Sequence, residues 1–273
     1  MSGHGFDRSC SQNSPRDGDV RISRCKAKNF VKSFLAALQF LTLFPWPKGM
    51  NYSAEELGRA AIFFPLIGFI LGLILGLVNS VLQPFATAGL LSVTLVTILA
   101  LLTRGFHLDG LGDTFDGLGA GGDRERMLTV MDDSHTGVFG LIAVVLVIFF
   151  KVNALESMGD DRWRALVSAP VLSRWAMVLL AHRSRAAKEG LGSMWIGHME
   201  PKHFLFASLL ALVLVAAIQQ AFGVLMMIWV AILTMAWKRY FHRRLGGVTG
   251  DTFGAVGELS EASVLFLFAL APR

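Results

Sequence analysis

Asp109, Asp113 and Asp116 stand at positions i, i+4 and i+7 of a glycine-rich stretch running from Gly105 to Ser134. At about 100° per residue, a helix would gather the three carboxylates within an arc of roughly 60°. Like charges on one face repel each other, and a divalent cation relieves them. Magnesium takes carboxylate oxygens and keeps substrate phosphates among its remaining ligands. The chemistry this pattern suggests is therefore metal-assisted work on a phosphate, with Asp109, Asp113 and Asp116 as ligands. Glycines surround the acids, and Gly110, Gly112, Gly117, Gly119, Gly121 and Gly122 would let backbone N–H groups approach an anion closely. A solvated acidic loop explains any one aspartate. It explains less well three on one face, with His107 two positions before the first. His107 itself reads equally as a packing, hydrogen-bonding or chemical residue.

Two further clusters accompany the first. Arg124, Glu125 and Arg126, followed by Met127, Leu128, Val130 and Met131 and then Asp132 and Asp133, read as a short amphipathic interfacial helix whose arginines either anchor it or meet phosphate. Asp251, Glu258 and Glu261, at i, i+7 and i+10, lie on one side of a helix beside an apolar segment. Carboxylates there are expensive unless they face a cavity or an ion, so a site shared with Asp109 and Asp113 is expected. Arg243 and Arg244 precede that cluster and read as anion ligands or as a boundary marker.

The elements that must position these residues are membrane helices. The chain has 273 residues, 53% hydrophobic and only 16% charged, against about 25% charged in soluble domains. Ala60–Thr103 contains no Asp, Glu, Lys or Arg, long enough to cross a roughly 30 Å hydrocarbon layer twice. Spans are expected near 60–82, 86–103, 137–156, 165–182, 203–219 and 221–237. Short connections follow at Gln83-Pro84, Ser157–Arg164 and Gln219-Gln220. The long charged segments 104–136, 183–202 and 238–258 would then share one side. Phe30–Phe44, stopped by Pro45 and Pro47, is short for a span and reads as an interfacial or re-entrant helix. Val264–Ala271 crosses only if it extends back through Gly250–Glu261. The expected fold is thus all-α, a polytopic membrane bundle of about six to seven transmembrane helices. Gly68, Gly72 and Gly76 form a small-residue stripe for close helix packing.

The net charge of +5 is not a nucleic-acid signal, because the basic residues flank apolar spans as the positive-inside rule predicts. Most fall beside the long segments, which marks that side as cytoplasmic. Residues 1–28 read as a disordered basic cytoplasmic tail without a secretory signal, and residues 29–273 as a single membrane-embedded domain. Cys10 and Cys25, both in the tail, imply neither a disulfide framework nor a metal site.

"GFHLDGLGDTFDGLG", "RMLTVMDDSHTGVFG" and "GGVTGDTFGAVGELSE" together resemble the cobalamin synthase, or adenosylcobinamide-GDP ribazoletransferase, family. "LQFLTLFPWP", "FFPLIGFILG", "SRW" and "EGLG" support the resemblance, which runs in order from about residue 30 to the C-terminus. The chain departs from the family pattern at Leu43, His135 and Asp132, where basic residues are common. The resemblance implies a multi-pass enzyme of the bacterial inner membrane that uses Mg²⁺. It joins adenosylcobinamide-GDP to α-ribazole, or to its 5′-phosphate, and releases GMP. It also implies site residues: Asp109, Asp113 and His107 as catalytic groups; Asp109, Asp113, Asp116 and Asp251 on the metal; and Gly110, Gly117, Arg126, Asp133, Arg174, Gly247, Thr249, Gly250, Glu258 and Glu261 toward substrate. The lipid bilayer is a partner, and a homo-oligomer or a complex with other corrinoid-assembly enzymes fits the same picture. Two other readings compete. A CDP-alcohol phosphotransferase would carry Ala-Arg where this chain has Gly112-Asp113. A cation-coupled transporter would place its carboxylates mid-span and show an inverted repeat.

Overall fold

A computed structural model describes residues 18–44, 52–159 and 161–270. Among these residues all regular structure is helical. The helices are α1 (Gly18–Leu41), α2 (Ala54–Ala60), α3 (Phe64–Leu82), α4 (Ala88–Leu102), α5 (Phe106–Ala120), α6 (Arg124–Met131), α7 (Val138–Ser157), α8 (Arg162–Ala181), α9 (Leu191–His198), α10 (Pro201–Gln219), α11 (Ala221–Arg244) and α12 (Gly250–Leu270). Six are long and apolar enough to cross a membrane: α3 with its α2 extension, α7, α8, α10, α11 and α12. α4 and α5 meet at 88° and, taken together as one broken span, bring the number to seven. The chain is a multi-pass helical membrane protein.

α8 is the central post, buried along nearly its whole length. α3 packs against it so closely that a Cβ on Gly68 would lie 2.3 Å from the Pro170 carbonyl oxygen, and one on Gly72 2.6 Å from the Val167 Cα. Those two glycines are the packing stripe expected from their spacing, whereas Gly76 faces open space. The connections 83–87 and 158–161 are short and meet at one end of the bundle, where Arg162 donates hydrogen bonds to the Leu155 and Met158 carbonyls. The 121–137 and 182–200 segments and the α11–α12 turn gather at the opposite end.

Helix α1 begins at Gly18, within the segment expected as a basic tail; beyond Gly18 residues 19–28 have neither Pro nor Gly and are rich in helix-forming Arg, Lys and Ala. Residues 1–17, with Cys10, lie outside the described residues, as do Pro45 and Pro47. The apolar part of α1, Phe30–Leu41, is indeed too short to cross; Phe30 and Phe34 set their rings edge-on against Phe63. The last span is one continuous 21-residue helix. Its acids depress its hydropathy, but they are neutralised inside the bundle rather than exposed to lipid.

Candidate active site

The α4–α5 bend is made by Arg104 and Gly105, both with positive φ, and it turns the acidic face of α5 toward the end that carries the charged segments. α12 packs along α5 through glycines. A Cβ on Gly110 would lie 2.8 Å from the Asp251 carbonyl oxygen, and one on Gly254 2.9 Å from the His107 carbonyl oxygen. The two acidic segments, about 130 residues apart in sequence, therefore meet, as the cost of isolated carboxylates at a membrane boundary predicts. Asp109 is exposed, and Asp113 and Asp251 are half-buried. Asp113 lies within electrostatic range of Asp109, Asp251, Asp116 and Lys188. The result is an open acidic cleft between α5 and the start of α12.

Lys188 closes one side of that cleft. Its ammonium donates to Asp132 Oδ1 at 2.5 Å and sits 3.2 Å from Asp251 Oδ2. Burial pulls its pKa down, but the Asp132 hydrogen bond and the Asp251 charge outweigh burial and raise it, so the ammonium persists. The backbone beside it is pinned: Ala187 N–H donates to the Val248 carbonyl and Val248 N–H to the Arg185 carbonyl, both at 2.9 Å. Arg124 adds a 2.7 Å bond to the Ala187 carbonyl and lies across Gly246, whose φ is +75°. Thr249 caps α12: its Oγ1 accepts from Thr252 N–H, and the Thr252 hydroxyl accepts from Thr249 N–H. The Thr249 hydroxyl also donates to Asp251 Oδ2 at 3.2 Å, which aims that carboxylate.

Asp116 differs from the expected metal ligand. Its oxygens accept the N–H groups of Gly137 at 2.7 Å and Gly140 at 2.8 Å. Gly137 is the N-cap of α7 and has no side chain to offer, so α5 supplies the cap through space. A Cβ on either glycine would strike Asp116 at 2.3 Å. His107 is 3% exposed, and its Nε2 has no partner. It lies in range of Arg174 and Lys151, buried away from the exposed carboxylate of Asp109.

Glu258, Glu261 and Arg174, expected toward substrate, pair with one another and with Lys151 inside the bundle. Lys151 donates to Glu258 at 2.5 Å and to Glu261 at 2.7 Å, and Arg174 donates to Glu261 at 2.8 Å. Two cations and two carboxylates thus form a neutral cluster tying α7, α8 and α12 together. Every member is almost fully buried, because a charge in the low-dielectric interior is tolerated only when paired. Gly110, Gly117 and Gly247 admit protein backbone rather than an anion: a Cβ on Gly117 would lie 2.8 Å from the Met127 carbonyl oxygen, and one on Gly247 2.4 Å from that of Arg185. Gly250 faces open space at the head of α12, and Arg126 is exposed on α6. Asp133 points outward and accepts the His135 N–H at 3.0 Å, which holds its carboxyl below the usual range; Asp132 is the neighbour that reaches the cleft. Lys188 and Lys151 were not picked out by sequence reasoning. Lys188 sits in an unremarkable basic loop without a spacing signal, but a single lysine closing a charge-free run from Thr136 to Phe150 is a readable sign of a buried partner.

The donors suit magnesium by their chemistry. Asp109, Asp113 and Asp251 are hard oxygen ligands, and a lysine ammonium already serves as counter-cation to Asp251. Among the described residues no three acidic, histidine or cysteine side chains form a ready-made cage.

Residues 33–269 match the cobalamin-5-phosphate synthase family. The chain belongs to that family. Three similar proteins are each named adenosylcobinamide-GDP ribazoletransferase. The one from Syntrophobacter fumaroxidans is 41% identical, covering 87% of this chain and 97% of that protein. The one from Geotalea daltonii is 38% identical, covering 89% and 99%. The one from Escherichia coli is 38% identical, covering 88% and 99%. No solved structure matches the chain. The family match takes in every helix of the bundle from α2 to the last turn of α12, and so includes both sides of the acidic cleft.

Proposed function

We propose that this chain joins adenosylcobinamide-GDP to α-ribazole, or to its 5′-phosphate, in the nucleotide-loop assembly step of cobalamin biosynthesis, and releases GMP. The observation that carries the reading is the packing of α5 on α12 at Gly110 and Asp251, which builds one acidic cleft from the two most distinctive family segments. The ribazole hydroxyl attacks the phosphorus bonded to the corrinoid's aminopropanol arm. A new P–O bond forms, the bond to GMP breaks, and the hydroxyl proton leaves. Asp113, set among the negative charges of Asp109, Asp251 and Asp116, accepts that proton. Asp109 and Asp251 would hold Mg²⁺, which when bound would supply positive charge against the transferring phosphoryl group and the departing phosphate. Asp116, through the cap on α7, and Thr249, through its bond to Asp251, keep the carboxylates in register.

The cleft opens at the end of the bundle that carries Arg124, Arg126, Arg183, Arg185, Arg243 and Arg244. That distribution supports a cytoplasmic site in a bacterial inner membrane. GMP release by the detergent-purified protein, supplied with adenosylcobinamide-GDP, α-ribazole and Mg²⁺, tests the proposal. GMP should appear only when all three are present, and a lipid product or ion flux in place of GMP would overturn it.

A further inference from the structure

Lys188 lies between carboxylates from two elements, Asp132 at the end of α6 and Asp251 at the head of α12, at 2.5 Å and 3.2 Å. Its side chain is 26% exposed, so the ammonium is neither sealed in nor free in solvent. The main chain beside it is fixed by the bridge between Ala186 and Val248 and by Arg124 on the Ala187 carbonyl, while the lysine side chain keeps four rotatable carbons. A fixed backbone carrying a flexible cation at the rim of an acidic cleft can serve two partners in turn. Asp251 cannot give full charge to both an ammonium and a metal ion, so any cation entering there competes with Lys188.

Building on the phosphotransferase reading, we infer that Lys188 is the counter-cation of Asp251 before substrate binds and a phosphate-binding residue once substrate arrives. A metal ion drawn to Asp251 displaces the ammonium. The ammonium then turns to the diphosphate that enters with the metal, while Asp132 keeps it at the rim. The device keeps the cleft from collecting metal without substrate and links occupancy of one to the other, because each ligand removes a competitor of the next.

Binding measurements on the full chain in detergent test this without turnover. Mn²⁺ titrated by electron paramagnetic resonance reports the substrate-free metal site, and labelled GDP reports diphosphate binding. Lys188→Gln should bind Mn²⁺ about tenfold more tightly than the parent protein and GDP about tenfold more weakly, the scale of one unit charge at a half-exposed site. Lys188→Arg keeps the charge and should restore GDP binding. If Lys188 only ties loop to helix, Lys188→Gln will melt at lower temperature with both affinities unchanged, and that result overturns the inference. An unaltered Mn²⁺ midpoint alone also overturns it. Absence of GMP release from the parent protein would strike the phosphotransferase reading instead, since neither binding measurement depends on turnover.

Discussion

Asp116 accepts two backbone hydrogen bonds while Asp109, seven residues earlier on the same helix, stands exposed at the cleft, so loss of charge at the two positions should have different consequences. Asp109→Asn should abolish substrate-free Mn²⁺ binding and lower the rate of GMP release on the order of 10³-fold, as loss of a metal ligand does. Asp113→Asn should lose rate to a similar degree yet still bind Mn²⁺, because its assigned work is proton transfer. Retained metal binding in Asp109→Asn, or its loss in Asp113→Asn, would exchange their roles. Asp116→Ala should instead lower unfolding stability by about 2–4 kcal/mol, the cost of two N–H groups left without their acceptor, with metal affinity kept. The i, i+4, i+7 spacing made the acidic face of α5 legible, but spacing along one helix does not say what faces it. The N-terminus of α7, folded back alongside, engages both oxygens of Asp116. Lys188 was illegible for the same reason: its partners lie 56 residues away at Asp132 and across the fold at Asp251.

Helices α7, α8 and α12 each bring a charge into the bundle that would be unaffordable alone. Lys151 meets Glu258 and Glu261, and Arg174 meets Glu261. Lys151→Met would leave a net negative charge buried and should cost about 3–5 kcal/mol of stability. Lys151→Met combined with Glu258→Gln restores neutrality and should recover much of that loss, a non-additivity expected of directly bonded partners. Denaturation in detergent, followed by the signal of buried Trp175 and Trp195, measures both; equal losses in the single and double variants would mean that neutrality of the cluster is not what holds these helices. The pairing also explains why α12 was hard to read. Hydropathy sums each residue as if it faced lipid, so Asp251, Glu258 and Glu261 leave only Val264–Ala271 apolar enough to count, too short to cross alone. The glycine stripe of α3 was easier to read, since Gly68 and Gly72 act through size and a missing side chain is visible in any context.

Seven crossings, counting the broken α4–α5 span, place the end of α12 opposite the acidic cleft, at the end that holds the 83–87 and 158–161 turns. The charge asymmetry between the two ends is large. Arg124, Arg126, Arg183, Arg185, Lys188, Arg239, Arg243 and Arg244 cluster with the cleft, while Arg162 and Arg164 stand at the other end. Basic residues beside spans are retained on the cytoplasmic side during insertion, and a nucleoside diphosphate conjugate does not cross a hydrocarbon layer unaided. Both arguments favour the proposed cytoplasmic orientation, and the first depends on insertion while the second depends on the reaction, so a direct test bears on each. In a background carrying Cys10→Ser and Cys25→Ser, Glu125→Cys places a thiol on exposed α6, and Gly159→Cys places one on the exposed opposite turn. A membrane-impermeant maleimide added to spheroplasts should label Gly159→Cys at once and Glu125→Cys only after the membrane is opened. The reverse pattern would turn the cleft outward and would remove the cytoplasmic assignment while leaving the helix packing intact.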